Sequence, residues 1–594
     1  MNTENTLLTL DELYEEFEFL GEWEDQCRYL IEIGEQLTDL PNAEKSDANR
    51  VLGCQARVWL VPTTIDSNRI AFRAKSDARL VDGLIVIVSL LFSGKSAREI
   101  LDTDVTGPFK RLGLESHLVP QRRNGLYAMV ERVRSLARIA LGATVASPPI
   151  EPTSSSSVAE AIPQRGIAPG EKWSQVGALP ETSFAAFDIE AIRSQFPALQ
   201  QFNSAGRRIV YLDSASSSQK PQMVIDKERE VYEEYYANAY RGVYRFGDRV
   251  STELESVRGQ AAKFIGASSP DEIIFTTGTT MGMNLIANAW GRKFLQPGDE
   301  ILLNLVEHHA NIVPWQWVAS QTGAVVRFAG LLPDGSLDLD DFDRMVNART
   351  RVVSVTGLSN VLGTITPLEH VGARARDVGT LLVVDAAQSI PHLPIDVVAQ
   401  HVDYLAFSGH KLYGPSGIGI SYGRRELLES MDPFLCGGHM ISRVGLDGFE
   451  TSSVPAKFEA GTLPIAQAIA LGAAFKFVES LGLKAMHAHE QQLFAYATQR
   501  LADVPGLRIY GPATLDRGAI IAFTMDGAAA QDLASLLDVH AVCVRHGHHC
   551  TMPLHDWLGV PATVRASIGV YNTTSDIDAL ADGLNAARKI LKLQ

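Results

Sequence analysis

The feature that most constrains the fold is a regular alternation of short β-prone runs with helix-length stretches beyond residue 187. The runs are apolar and lie at residues 273–275, 300–305, 352–355, 381–384 and 404–407. Strands that alternate with helices predict a parallel sheet covered on both faces. Ligands of such open sheets bind at the carboxyl ends of the strands, so the residues that follow each run are the candidate site residues.

Polar side chains follow all five runs. They are, in chain order, Thr280 at a predicted helix start, His308, Asn360, Asp385 and Lys411. Each has a commoner structural explanation alone, such as a helix cap or a solvated surface charge. Together they match the parts of a pyridoxal phosphate site. The helix start would bind the phosphate, the carboxylate would pair with the pyridine nitrogen, and the lysine would form a Schiff base.

Composition narrows the class of protein further. The chain has 594 residues, 46% of them hydrophobic and 21% charged, which predicts several soluble globular domains. A net charge of −16 argues against a nucleic-acid or anionic-membrane partner, because such partners bind clustered Lys and Arg. The five cysteines include no C-x-x-C pair, and the start shows no secretory signal. We therefore expect a cytoplasmic protein.

Three regions are expected from the patterns along the chain. Residues 1–145 combine an amphipathic helix from Leu10 to Trp23, a β-hairpin around 58–73 and two further helices at 78–92 and 126–141. This predicts a small α+β domain. Residues 146–185 are rich in Pro and Ser and show no apolar periodicity, which predicts a flexible linker. Residues 186–594 contain the alternating region and a tail of shorter, mixed runs.

The segment 186–594 resembles a fold-type-I pyridoxal-phosphate enzyme of aminotransferase class V, and within it the SufS group of cysteine desulfurases. The resemblance is carried by the motifs at 211–215 (YLDSA), 307–315 (EHHANIVPW), 359–363 (SNVLG), 407–417, 458–462 (FEAGT) and 545–554 (RHGHHCTMPL). It implies an α/β fold with a large, mostly parallel-sheet domain at about 205–470. A small α+β domain would comprise 186–204 and 471–594.

The resemblance assigns cofactor roles residue by residue. Lys411 would hold pyridoxal phosphate, Asp385 would pair with its ring nitrogen, and His308 would stack on the ring and handle protons. The remaining roles fall to Gln388 and Asn360 beside the phenolic oxygen, and to Thr279, Thr280, Ser408 and His410 at the phosphate. Thr462 resembles a threonine that reaches the phosphate of the other subunit, which implies a homodimer.

The substrate residues implied by the resemblance are Arg565 and, in support, Arg545 and Asn360, with the planar guanidinium suited to a carboxylate. Cys550 would be the nucleophile that takes sulfur from L-cysteine as a persulfide and leaves L-alanine. Histidines surround it at positions 546, 548, 549 and 555, so a zinc site is an alternative, although the spacing matches no common zinc pattern. Cys543 reads as an inert core residue.

Residues 1–145 resemble SufE, the sulfur acceptor of these desulfurases. The motifs are 51–55 (VLGCQ), 58–59 (VW), 76–77 (SD) and 117–126 (HLVPQRRNGL). Cys54 would accept sulfur from Cys550, with Asp77 and Arg122 as polar neighbours, while Cys27 reads as unreactive. The fusion implies sulfur delivery to iron–sulfur scaffold proteins. Alternatives are a selenocysteine lyase and a non-catalytic assembly scaffold with a vestigial site.

Three stretches depart from the family pattern. Tyr240-Arg241-Gly242 replaces His-Arg-Gly, the phosphate turn reads TGTTMG at 277–282, and Leu435-Cys436-Gly437-Gly438 replaces Glu-Gly-Gly-Gly. These positions shape the edge of the active site and the dimer contact in the family. We therefore expect differences in rate and acceptor selectivity but the same core chemistry.

Overall fold

The computed structural model describes residues 8–53, 56–65, 69–118, 120–142, 188–514 and 516–593. Cys54 and the predicted linker at 146–185 lie outside the described residues. The chain forms two compact units: Met1–Ile162 with Thr524–His540 and Asp582–Gln594, and Pro163–Phe523 with Ala541–Ala581. We call them the N-terminal unit and the large unit. The domain boundaries expected from the sequence stay a prediction.

The N-terminal unit begins with two helices where the sequence predicted one. Thr9 and Glu12 form a reciprocal capping box that starts the first helix, which buries Leu13 and Phe17. Gly21, at φ 66°, ends this helix, and a second begins at Trp23. The helices are α1 (Leu10–Leu20), α2 (Trp23–Gly34), α3 (Arg79–Phe92), α4 (Ala97–Asp102), α5 (Thr106–Arg111), α6 (Leu114–His117) and α7 (Pro120–Ala140).

The predicted hairpin is confirmed as the antiparallel pair β1 (Val58–Ile65) and β2 (Ile70–Ser76). Residues of β2 alternate between buried and partly buried, so one face of the hairpin packs on the helices. Gly34 in α2 and Gly83 in α3 let these two helices pack closely. A Cβ added at Gly83 would lie 2.3 Å from the Leu30 carbonyl oxygen, so only glycine permits this contact.

A seven-stranded sheet forms the centre of the large unit. Its strand order is β4-β10-β9-β8-β7-β5-β6, with β10 antiparallel to both of its neighbours and the other pairs parallel. The strands of this region are β3 (Val210–Tyr211), β4 (Ile273–Thr276), β5 (Glu300–Asn304), β6 (Val325–Ala329), β7 (Thr350–Thr356), β8 (Leu381–Asp385), β9 (Tyr404–Ser408), β10 (Gly419–Gly423), β11 (Ile441–Val444) and β12 (Phe449–Thr451). The mostly parallel sheet is therefore confirmed.

Helices cover both faces of the sheet, as the sequence predicted. Alternate residues of β8 and β9 belong to opposite cores: Leu382 and Leu405 to one, Val383 and Tyr404 to the other. Each fully buried aliphatic side chain of this kind stabilises the fold by about 1.5–3 kcal/mol. The helices are α8 (Ile189–Ser194), α9 (Gln222–Glu230), α10 (Arg245–Phe264), α11 (Thr279–Ile286), α12 (Arg292–Phe294), α13 (His309–Thr322), α14 (Leu339–Met345), α15 (Leu368–Asp377), α16 (Arg425–Ser430) and α17 (Ile465–Leu481).

The C-terminal region adds a four-stranded sheet of order β13-β14-β17-β16, while β15 pairs in parallel with β3. Its elements are α18 (Leu483–Ala502), β13 (Leu507–Tyr510), β14 (Ile520–Met525), α19 (Ala530–Val539), β15 (Val542–Cys543), β16 (Arg545–Gly547), α20 (Met552–Leu558), β17 (Thr563–Ser567) and α21 (Thr574–Ile590). In the described ranges no single helix is long and apolar enough to span a membrane; α17 with α18, bent by 72°, passes the same test only as a pair.

Candidate active site

Three predicted site residues lie at the carboxyl edge of the seven-stranded sheet. Asp385 is the last residue of β8, Ser408 is the last of β9, and Asn360 follows β7. Because β7, β8 and β9 run in parallel, these ends meet at one edge. The sheet therefore gathers side chains that are far apart in the sequence.

Lys411 ends a short 3₁₀ turn, Gly409–Lys411, directly after β9. Burial lowers the pKa of its amine to about 8; the Asp385 carboxylate acts against this shift, and Arg565 adds to it. An ordinary lysine is almost entirely protonated near neutral pH. Lys411 thus carries a substantial fraction of neutral, nucleophilic amine under mildly basic conditions.

Asp385 is buried, with one carboxylate oxygen, Oδ1, accepting the backbone N–H of Ala387 at 2.9 Å. Burial raises the pKa of this carboxyl, and Lys411 lowers it. Near it, Gln388 donates from Nε2 to the carbonyl oxygen of Ala215 at 2.6 Å. The other amide atom of Gln388, Oε1, is buried and has no partner among the described residues. A ligand with a hydrogen-bond donor would satisfy that oxygen.

His308 caps the N-terminus of α13. Its Nδ1 accepts the backbone N–H of Ala310 at 3.0 Å, which leaves Nε2 as the protonated nitrogen of the neutral ring. Burial, followed by the positive charge of Lys411, lowers the pKa of His308 to about 4. The imidazole is therefore neutral at physiological pH and suited to stacking on an aromatic ring.

The candidate phosphate turn joins β4 to α11. Ser408 Oγ lies 2.8 Å from Thr279 Oγ1 and accepts the Thr279 backbone N–H at 2.9 Å. Gly278 adopts φ 143°, and a Cβ there would lie 3.0 Å from Ser408 Oγ, so the turn requires glycine. Thr280 is exposed in the first turn of α11, where backbone N–H groups favour an anion. His410 is partly buried, and burial lowers its pKa to about 4.

Thr462 forms no hydrogen bond to these groups among the described residues of the large unit. It is exposed, and its neighbour Gly461 donates a backbone hydrogen bond to Gly438 at 2.9 Å. The contact ties the FEAGT loop to the loop that departs from the family pattern at 435–438.

Arg545 and Arg565 face each other across β16 and β17 and share one carboxylate. Arg545 binds Asp213 through two nitrogens at 2.8–3.2 Å, and Arg565 donates from Nη2 to Asp213 Oδ1 at 3.2 Å. Arg565 also donates from Nη1 to the Asn360 carbonyl oxygen at 3.0 Å, while its Nε is buried without a partner in the described chain. Two guanidinium groups against one carboxylate leave a net positive charge for an anionic ligand.

Cys550 is exposed and adopts φ 60°, in the left-handed region. Two loops of the sheet edge hold its segment. His309 donates its backbone N–H to the Cys550 carbonyl oxygen at 2.8 Å, and Asn360 donates from Nδ2 to the His549 carbonyl oxygen at 2.9 Å. A negative charge on Cys550 acts on the pKa values of both Lys411 and Arg565, so the thiol lies within electrostatic range of both.

The neighbouring histidines make other contacts. His549 Nε2 and His555 Nε2 both lie near Thr563 Oγ1, at 3.0 and 3.1 Å. Burial lowers the pKa of His555 to about 4 and that of His549 well below its usual range. Within the described residues, no group of three or more His, Cys, Asp or Glu side chains is arranged to hold a metal ion. These contacts account for the two imidazoles without a metal.

The acceptor residues expected from the sequence belong to the N-terminal unit. Cys54 lies outside the described residues. Asp77 accepts from the Arg57 backbone N–H at 2.9 Å and from its Nε at 2.8 Å. Arg122 is buried and donates to the Gln531 carbonyl oxygen at 3.1 Å within the same unit. Burial raises the pKa of Cys27 to about 12, which agrees with its interpretation as unreactive.

The donor set fits pyridoxal phosphate. A buried carboxylate, a lysine of lowered pKa, a neutral imidazole and the unpartnered Gln388 Oε1 match its ring nitrogen, aldehyde, ring face and phenolic oxygen. When bound, the cofactor supplies an electron sink for carbanion chemistry. The fold and this donor set define a pyridoxal-phosphate enzyme of the class-V aminotransferase type.

Comparisons with known proteins agree with this class. Residues 210–580 match the family described as "Aminotransferase class-V", and residues 11–137 match "Fe-S metabolism associated domain", the SufE family. A cysteine desulfurase from Serratia proteamaculans is 46% identical over 407 residues, which are 68% of this chain and 100% of that protein. A probable cysteine desulfurase from Streptomyces coelicolor is 46% identical over 406 residues, 68% of this chain and 97% of its own length.

Comparison with a solved structure also indicates similarity to cysteine desulfurases. The crystal structure of a cysteine desulfurase from Escherichia coli is 38% identical, with a TM-score of 0.64, and covers 68% of this chain and 99% of that protein. The chain belongs to the pyridoxal-phosphate-dependent cysteine desulfurases and carries a SufE domain in front of the desulfurase. These relatives do not favour a selenocysteine lyase or a non-catalytic scaffold.

Sequence reasoning missed two buried residues of the site. Asp213 lies in the quoted YLDSA motif, but its pairing with Arg545 and Arg565 depends on strands over 300 residues away. Glu307 is fully buried, accepts the Thr356 backbone N–H at 2.8 Å, and has a pKa raised by burial to about 8. In the sequence, its position directly before His308 and His309 was the signal that could have identified it as a site residue.

Proposed function

We propose that this enzyme moves the sulfur of L-cysteine first to Cys550 and then to Cys54, for iron–sulfur cluster assembly in the cytoplasm. The observation that carries the first step is the position of Cys550. Its thiol is exposed, within electrostatic range of Lys411 and Arg565, on a segment anchored to the loops after β5 and β7. The SufE-family domain supports the second step.

The chain's own residues take distinct parts in this proposal. Arg565, with Arg545 behind it, binds the substrate carboxylate, for which a planar guanidinium is well suited. Lys411 holds the cofactor and, once displaced, moves protons at its Nζ atom. Asp385 holds the ring nitrogen, and the neutral His308 packs on the ring face. Thr280, Ser408 and His410 bind the phosphate.

The sulfur transfers balance without an added oxidant. The Cys550 thiolate would attack the sulfur atom of bound cysteine. The bond from that sulfur to the substrate β-carbon would break, its electron pair would stay with the substrate, and protonation of the β-carbon would give L-alanine. The terminal sulfur of the resulting Cys550 persulfide is then attacked by the Cys54 thiolate. The sulfur–sulfur bond breaks, and Cys550 returns as a thiolate.

A homodimer is part of the proposal. Thr462 is exposed, and the family pattern places this threonine at the phosphate of the other subunit. The hairpin β11–β12 exposes Val444 and Phe449, with Leu446 fully exposed between them. Exposed apolar side chains grouped in this way support a protein partner, and a second copy is the partner the family uses.

The SufE domain also changes the concentration at which sulfur transfer operates. If the linker predicted at 146–185 behaves as a flexible coil, its root-mean-square span is on the order of 35 Å. Such a tether gives an effective acceptor concentration approaching about 1 mM, so a weak contact between the domains suffices. Iron–sulfur scaffold proteins would then receive sulfur from Cys54 rather than from Cys550.

The test is sulfide release from L-cysteine, with and without an external thiol reductant, by wild type, C54S and C550S. We expect C550S to lose sulfide release under both conditions. C54S should release sulfide only when the reductant reaches Cys550 directly, and therefore at a rate that depends on reductant concentration. Full activity of C550S would contradict the proposal.

A further inference from the structure

The segment after β3 contacts the turn that carries Lys411. Four donors converge on the carbonyl oxygen of His410: the Ser218 backbone N–H at 3.1 Å, Ser218 Oγ at 3.1 Å, Ser217 Oγ at 3.2 Å and Lys220 Nζ at 2.8 Å. A carbonyl oxygen has two lone pairs, so the donors share it. The shortest of these contacts comes from the cation, and charged donors form the stronger hydrogen bonds.

The ammonium group of Lys220 has a hydrogen-bond acceptor for each of its N–H bonds, but it forms no ion pair among the described residues. Its Nζ also donates to Ser217 Oγ at 3.4 Å and to the Ser218 carbonyl oxygen, which gives three oxygen acceptors for three N–H bonds. No salt bridge joins it to a carboxylate in the part of the chain that the structure describes. Burial alone lowers its pKa to about 8. A partly buried lysine without an acidic partner has no opposite charge to offset its desolvation, which points to a role beyond solubility.

The atom that Lys220 holds belongs to the peptide group between His410 and Lys411. The turn is also fixed from its other side, because Tyr413 donates its backbone N–H to Ser218 Oγ at 2.8 Å. Gly414 closes the turn with a hydrogen bond to the Gly409 carbonyl oxygen at 2.9 Å. Tyr413 itself adopts φ 61°, an uncommon conformation for a non-glycine residue that the surrounding contacts must maintain.

We propose that Lys220 is a positioning residue for Lys411: its ammonium group holds the His410 carbonyl oxygen and so fixes the peptide bond from which the Lys411 side chain projects. Lys220 does not touch the reacting atoms in this arrangement. It sets the starting point of the side chain that must reach the cofactor aldehyde. It also acts on the neighbouring imidazole, because the charges of Lys411 and Lys220 both lower the pKa of His410.

The test uses the full-length chain freed of cofactor, with pyridoxal phosphate itself as the probe. The variants are K220M, which removes donor and charge, and K220R, which retains both. The matched control is K263M on α10, because Lys263 is 81% exposed. Rates of cofactor capture are followed by visible absorption across pH, and kcat and KM for L-cysteine are measured on the reloaded proteins.

We expect K220M to capture the cofactor about 10- to 100-fold more slowly than wild type, with a similar fall in kcat, because a small misplacement of a reacting group has this cost. KM should change by less than about twofold, since the substrate residues are untouched. K220R should recover a large part of the capture rate. K263M should match wild type.

Wild-type capture and kcat in K220M would overturn the proposal. So would a lowered melting temperature with an unchanged capture rate per folded molecule, because that result assigns Lys220 to stability only. If K220M does not fold, K220Q takes its place, since it retains a neutral donor but no charge, and the same comparison with K220R decides. Sulfur transfer to Cys54 is not needed for either readout.

Discussion

Asp213 and Arg565 form a buried ion pair in which Arg565 Nη2 lies 3.2 Å from Asp213 Oδ1. The same carboxylate binds Arg545, which lies opposite Arg565 in the β16–β17 pair. Like charges directly opposite each other destabilise a sheet, so Asp213 offsets the repulsion and orients both guanidinium groups. The residue proposed to bind substrate is thus held in place by the Asp213 carboxylate.

The variant D213N should weaken substrate binding more than it slows chemistry. Loss of the charged partner frees the guanidinium of Arg565, so KM for L-cysteine should rise about tenfold while kcat changes less. The free energy of unfolding should fall by about 1.5–3 kcal/mol, the usual cost of a lost hydrogen bond to a charged group. Steady-state kinetics and denaturant unfolding measure the two effects. An unchanged KM would show that Asp213 does not orient Arg565.

Cofactor capture by the cofactor-free enzyme should depend on pH through Lys411. Its pKa is lowered to about 8, so the reactive neutral amine increases as pH rises through about 8 and is nearly complete above pH 9. His308, with a pKa near 4, stays neutral over this range and adds no second inflection. Stopped-flow absorption of K220R, whose guanidinium stays charged throughout, should show one rising limb between pH 6 and 10. In wild type the loss of the Lys220 charge, also near pH 8, opposes that rise. A midpoint above 10 would indicate an ordinary, solvated lysine.

Replacement of Asp385 by Asn should remove the charge that holds the protonated ring nitrogen. We expect kcat to fall by about 100-fold, the scale of losing one preorganised electrostatic contact, with the cofactor still bound. D403N is the matched control, because Asp403 is a largely buried carboxylate next to the other end of β9. Equal losses in both variants would mean that Asp385 acts only through stability.

The two exposed cysteines of the described large unit should differ sharply. Cys550 is tied to the loops of the sheet edge, whereas Cys436 lies in the loop before β11. We expect C550S to lose at least about 100-fold in alanine formation from L-cysteine, and C436S to stay close to wild type. Alanine quantified by chromatography gives both rates. A large loss in C436S would instead show that the loop at 435–438, whose sequence differs from the family pattern, takes part in the reaction.

Fusion of the domains should make sulfur transfer resistant to dilution. The intact chain keeps its acceptor at a fixed effective concentration, so sulfide release per enzyme should stay nearly constant from micromolar to nanomolar protein. A mixture of residues 1–145 and 186–594, expressed separately, should lose activity over the same range. Identical dilution profiles would show that the tether contributes nothing.

Much of the fold followed from local patterns. The apolar runs at 381–384 and 404–407 are strands because alternate residues fill two different cores, and a parallel sheet then places Asp385 and Ser408 at one edge. The break at Gly21 was missed because the apolar periodicity continues through it, while its φ of 66° ends the helix. Turn geometry of this kind overrides periodicity.

The contacts that complete the site depend on long-range packing. Lys220 and His410 are 190 residues apart, and Asp213 and Arg565 are 352 apart. Residue type and spacing could nominate Lys411 and Cys550, because each follows a recognisable motif. They could not show which carbonyl oxygen or guanidinium group a distant Lys or Asp would bind, since no local pattern encodes a tertiary contact.

Mass spectrometry of the protein after one turnover shows whether sulfur passes from Cys550 to Cys54. Wild type, C54S and C550S are mixed with one equivalent of L-cysteine, alkylated and digested. We predict one added sulfur atom on the Cys54 peptide of wild type, on the Cys550 peptide of C54S, and on neither peptide of C550S. Added sulfur on Cys54 in C550S would contradict transfer through Cys550.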